Sequence, residues 1–137
     1  MVVQDANIQR VVMVRLNPGD DILLSLRKAV EQSSIKTGVI LNGLGSAQSY
    51  HYHVVADTNL PPKEVFPKGE IPFDIVSITG LIIDGRVHAH ITFSEAGKAQ
   101  GGHLEEGCRV LTFTAIAIAD LGASKPVTNW DKIGNLP

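Results

Sequence analysis

Residues 83–120 read IDGRVHAHITFSEAGKAQGGHLEEGCRVLTFTAIAIAD, and the breaks in this stretch decide the fold. Asp84-Gly85 between two apolar runs is a hairpin signal, because these residues tolerate the positive φ of a tight two-residue turn. Phe73 to Ile83 therefore reads as one strand, and Arg86 to Ser94, which alternates apolar and polar residues, as its partner. Gly97-Lys98 marks another turn, Gly101 to Leu104 a short glycine-hinged segment, and Arg109 to Ala119 a last long strand.

Upstream, the apolar, β-branched run Ile8 to Leu16 is a strand, broken by Asn17-Pro18-Gly19-Asp20. Asp20 or Asp21 can then cap a helix, and Ile22, Leu23, Leu26, Ala29 and Val30 form one apolar stripe that ends near Ser33. Gly38 to Leu44 is a strand ending in the turn Gly43-Leu44-Gly45-Ser46, which lacks the lysine and following helix of a phosphate loop. Ser49 to Val55 is a further strand. Asp57 to Pro72, with Pro61, Pro62, Pro67 and Pro72, is a long loop or edge segment. The expected fold is α+β: a mostly antiparallel sheet of about seven strands with one main helix, in a single domain over 8–120. A tail over 121–137, with Pro126, Trp130 and Pro137, is expected to pack on that domain.

Composition excludes several function classes. Only 5% of the residues are aromatic, so aliphatic side chains must fill the core. No apolar run reaches the roughly 18 residues of a bilayer crossing, and MVVQDANIQR lacks the pattern of a signal peptide. With one cysteine, Cys108, no internal disulfide can form, and a cytoplasmic location is expected. The net charge is −2 and the 12 basic residues are scattered, so tight binding to DNA by this chain alone is disfavoured.

The chemistry centres on histidine. His88 and His90 are two apart in a strand, so their side chains share a face roughly 6.5–7 Å apart and can converge on one cation. His103 comes thirteen residues after His90, behind Gly101-Gly102, whose small size lets the backbone turn and approach closely. Three neutral imidazoles with an open fourth position suit Zn²⁺, and other divalent metals also fit. The alternative is an ordinary solvated strand face. His51 and His53 repeat the same spacing, but no third ligand is evident near them, so they read as a solvated face or crevice lining, with a contribution to the pocket at the other histidines as the lesser alternative. Glu105 and Glu106 follow His103; either could orient a histidine or act as a base, or both could be surface charges, as Glu95 reads. Cys108 opens an apolar strand and reads as a small buried hydrophobe.

Asp84-Gly85, His88-Ala89-His90, Gly101-Gly102-His103-Leu104 and Gly107-Cys108 before a strand together resemble the C-terminal signature of the plants and prokaryotes conserved domain family (PPC, or PCC). Phe73 to Gly80, the turn at Gly43–Ser46 and the helix after Pro18-Gly19-Asp20 also resemble that family, over roughly residues 8–120. Two positions depart from it: Asp74, where relatives often carry Glu, and Ala115, where they often carry an acid. The resemblance implies a homotrimer with sheets packed round a threefold axis, and a metal, zinc or another divalent ion, held by His88, His90 and His103 near a subunit boundary. In plants the domain follows an AT-hook that binds DNA. Stand-alone prokaryotic members lack the hook, as this chain lacks an Arg-Gly-Arg-Pro core, and their DNA-binding label is borrowed by association.

Three functions compete at this stage. One is a metal-bearing trimer that binds a protein or small ligand as a regulatory module. The second is a metal-dependent enzyme acting on a small polar substrate in an inter-subunit cleft. There, three histidines leave room for a water whose pKa zinc lowers to about 7, and Glu105 or Glu106 carries the proton. The third is a DNA binder, which the charge pattern disfavours.

Overall fold

The computed structural model describes residues 1–136. Its elements run β1 (Arg10–Leu16), α1 (Ile22–Gln32), β2 (Thr37–Ala47), β3 (Tyr50–Val55), β4 (Glu64–Val65), β5 (Lys68–Gly69), β6 (Phe73–Ile83), β7 (Arg86–Glu95), β8 (Lys98–Leu104) and β9 (Val110–Asp120). One antiparallel sheet takes the order β1-β9-β2-β6-β7-β8-β3-β4, with β5 also on β3. The fold class is as expected, but the described residues form nine strands rather than about seven. The two additional strands lie in the proline-rich segment. Each is two residues long, too short to show a period, and docks on β3 through the pairs Val55↔Glu64 and His51↔Lys68.

The helix forms where the apolar stripe places it. Asp21 caps it: one carboxylate oxygen accepts from the Leu24 N–H at 3.0 Å, and the other accepts from the Gly107 N–H at 2.7 Å. One side chain thus closes the helix start and ties it to the turn before β9. Ile22, Leu26 and Val30 turn inward and join Ile78, Ile82, Ile91, Ile116 and Ile118 in one aliphatic core. The helix covers that face of the sheet. The other face keeps Met13, Leu44 and Val76 exposed.

Asp84 and Gly85 both take positive φ (52° and 75°), and Ile83 pairs with Arg86, so the hairpin is the two-residue turn that the dipeptide indicates. Two other glycine segments differ from expectation. Gly43 to Ser46 is not a turn; it lies inside β2, where register shifts bend the strand against β9. Gly101-Gly102 is not a hinge either, because β8 runs straight through it. These glycines permit close approach: a Cβ on Gly101 would stand 2.0 Å from the Ile91 carbonyl oxygen, and one on Gly102 2.4 Å from that of His53. The segment after β9 is anchored at several points, including Leu121 N–H to the Thr37 carbonyl (2.9 Å) and a bidentate pair from Arg86 to Asp131 (2.9 and 3.2 Å). Pro137 lies outside the described residues. Among the described residues, no helix is long and apolar enough to cross a membrane.

Candidate metal centre

Strand register builds the centre on the sheet face opposite the helix. His90 on β7 stands across from His103 on β8, and His103 stands across from His53 on β3. Directly paired residues share a face, so three imidazoles form a row across three strands. His88 joins them by alternation, two residues along β7. Ring centroids lie 4.6 Å apart for His88–His103, 5.3 Å for His90–His103 and 5.6 Å for His88–His90. One nitrogen from each of His88, His90 and His103 lies within 4.8 Å of the other two.

His53 belongs to this cluster, which is the lesser of the two alternatives its spacing left open. Its ring stacks on His103 at 4.4 Å, and its Nδ1 lies 2.6 Å from Glu105 Oε1. A carboxylate accepts, so Nδ1 carries the hydrogen of this bond. Glu64 approaches the other ring nitrogen at 3.6 Å. His53, His103 and Glu105 form a second group of donors within 4.8 Å of one another. The available signal was the repeated His-x-His spacing in YHYHV; the partner strand, fifty residues on, carried none.

Burial and the company of other imidazoles push the His103 pKa down to about 4, against a partial upward pull from Glu105. Burial first, then His88 and His53, also lower that of His90. Both rings are therefore neutral near pH 7, with lone pairs free for a cation. Asp131, which sequence reasoning did not connect to the site, lies 3.8 Å from His88 Nδ1, and its bond from Arg86 holds its carboxyl below the usual range. A carboxylate beside a histidine Nδ1 favours the tautomer that leaves Nε2 free to ligate. Converging all-nitrogen donors fit zinc or a similar divalent ion.

The remaining candidates lie elsewhere. Glu106 is exposed and pairs with Arg27, while Glu95 pairs with Lys98 at 3.2 Å on the surface. His51 Nδ1 donates to the Glu106 carbonyl at 2.7 Å, and the ring lines a cleft of about 520 Å³ with Tyr50, Lys68 and Arg109. Cys108 is fully buried, and desolvation pushes its thiol pKa up to about 11. Asp74 pairs with Ser94, and Ala115 with Arg15 and Leu44, so neither is a cross-strand neighbour of a histidine.

The family model of the Plants and Prokaryotes Conserved (PCC) domain matches residues 3–121. The chain belongs to that family. A protein from Archaeoglobus fulgidus, described as a metal-containing protein, superposes with a TM-score of 0.79 at 20% identity, over 96% of this chain and 94% of that one. A candidate DNA-binding protein from Bacteroides thetaiotaomicron gives 0.73 at 20% identity, over 85% and 82%. At these identities the likeness is one of fold. The bifunctional protein GlmU of Synechococcus sp. (strain JA-3-3Ab) is 30% identical over 112 residues, which is 81% of this chain but 17% of GlmU. The chain thus spans about a sixth of the curated relatives it matches.

Proposed function

We propose that this PCC-domain protein is a metal-binding module that works as a homotrimer, with His88, His90 and His103 as ligands of zinc or another divalent ion. The convergence of three imidazole donors carries this reading. The metal content of the Archaeoglobus fold relative supports it. The match to one segment of a longer bifunctional protein suits a domain that serves as a module. The exposed Met13, Leu44 and Val76 support association, since copies packed on that face would hide apolar surface from water. A subunit boundary there would place the histidines beside it, where a protein or small ligand could be read.

A second reading, a metal-dependent enzyme, is favoured by one observation: the His53–Glu105 pair stands against His103. A bound zinc ion supplies Lewis acidity at such a site. Glu105 and His53 would hold or move a proton on a small polar substrate. The DNA-binding description of the Bacteroides protein finds little support in this chain: the net charge is −2, and Glu64, Glu105 and Asp131 surround the histidines.

The test is metal content and mass. Tag-free protein loaded with zinc and passed through a desalting column is expected to retain one ion per chain and to elute with three times the chain mass. His103→Ala is expected to lose the ion. Unchanged metal content in that variant contradicts the assignment.

A further inference from the structure

His103 takes part in two donor groups. On the β7 side it meets His88 and His90, and on the β3 side it meets His53 and Glu105. We infer that the cluster offers two cation positions that share His103: a three-histidine position, and a second made by His53, His103 and Glu105. The inference rests on reading His103 as a metal ligand.

A neutral imidazole has one nitrogen lone pair to give, the other nitrogen carrying hydrogen. His103 can therefore serve one position at a time, and each chain holds one ion, in either place. The two donor sets differ in kind. Three imidazoles make a neutral, relatively soft set, suited to zinc. Two imidazoles and a carboxylate bring a negative charge and a hard oxygen, as in sites that favour Mn²⁺ or Fe²⁺. The ion taken up would select the ligands, and with them the strands that are tied together: β7 to β8 for zinc, β8 to β3 for manganese.

The second position needs its donors, now within 4.8 Å of one another, to close on one point. Ligand bonds of roughly 2.0–2.2 Å put neighbouring donor atoms about 3 Å apart at the right angles of an octahedral Mn²⁺. The 2.6 Å contact between His53 Nδ1 and Glu105 must then open by a few tenths of an ångström, and the ring hydrogen must pass from Nδ1 to Nε2, which faces Glu64 at 3.6 Å. The Glu105 side chain is half-buried and hydrogen-bonded to His53 alone among the described residues, while its backbone N–H donates to the His51 carbonyl at 3.0 Å and holds the chain in place.

Mn²⁺ and Zn²⁺ serve as separate probes. Their affinities are measured by equilibrium dialysis of the full chain, wild type and variants, with circular dichroism confirming the fold. Glu105→Gln is expected to weaken Mn²⁺ binding by about tenfold or more and to leave zinc affinity unchanged. His53→Gln should do the same. His90→Gln is expected to weaken zinc and spare Mn²⁺. If Glu105→Gln leaves Mn²⁺ affinity unchanged, or weakens both ions equally, the second position does not exist. If instead His90→Gln leaves zinc unchanged, it is the three-histidine reading that fails.

Discussion

His103 stands directly across from His90 on one neighbouring strand and directly across from His53 on the other, so a single imidazole joins the two sides of the histidine cluster. Its position depends on how closely β8 can lie between β7 and β3, and that closeness depends on two residues without side chains.

Gly102→Ala would put a methyl 2.4 Å from the His53 carbonyl oxygen and 2.7 Å from Val54 Cγ1. The strands must part, and His103 moves with β8. Loss of about 1–3 kcal/mol of stability is expected, as for other overpacked sites, together with weakened zinc binding. Gly97→Ala is the control, since a Cβ there meets nothing within 4 Å. Thermal melting and zinc titration check both; a Gly102→Ala protein that keeps wild-type zinc affinity would contradict the packing argument.

Asp131 links the C-terminal segment to the cluster. It takes two hydrogen bonds from Arg86 and faces His88 Nδ1 at 3.8 Å. Removal of such a partner typically lowers metal affinity by about 10–100-fold. Asp131→Asn is expected to fall in that range with an unchanged fold, by zinc titration. Unchanged affinity would leave Asp131 as an anchor for Arg86 alone.

Acid should destabilise the metal-free protein through His103. Its pKa of about 4 in the fold lies below the ordinary 6.5. As pH falls below 6.5 the unfolded chain takes up a proton that the folded chain refuses, so stability declines between those two values and levels off below the lower one. His90 is shifted the same way. Urea midpoints measured with chelator present should fall across that window, and fall less in His103→Gln. An identical pH profile in the variant would show that His103 is not the group responsible.

The Cys108 thiol should be inert in the native state. It is fully buried, accepts from the His51 N–H at 3.2 Å, donates to the His51 carbonyl at 3.3 Å, and is held protonated to about pH 11. Iodoacetamide at pH 8 should label it only in denaturant. Rapid native labelling would mean that β9 opens locally at its start.

Much of the fold was legible because long strands and the capped helix carry strong periods. Asp84-Gly85 fixed one hairpin, and with it the shared face of His88 and His90. Glu64–Val65 and Lys68–Gly69 were not legible, because two residues have no period and their pairing is decided by the edge they meet. Gly101-Gly102 was read as a place to bend, whereas it is a place where three backbones crowd together; a glycine pair in a sequence is compatible with both. His53 and Asp131 escaped for the same reason as each other. Each reaches the cluster through a contact between segments distant in the chain, and no local pattern records such a contact.

The most direct test of the central claim is anomalous diffraction at the zinc edge from zinc-soaked crystals. The account expects one strong peak per chain, roughly 2.0–2.1 Å from a nitrogen of each of His88, His90 and His103. A peak bound elsewhere, or none at these three rings, would contradict it.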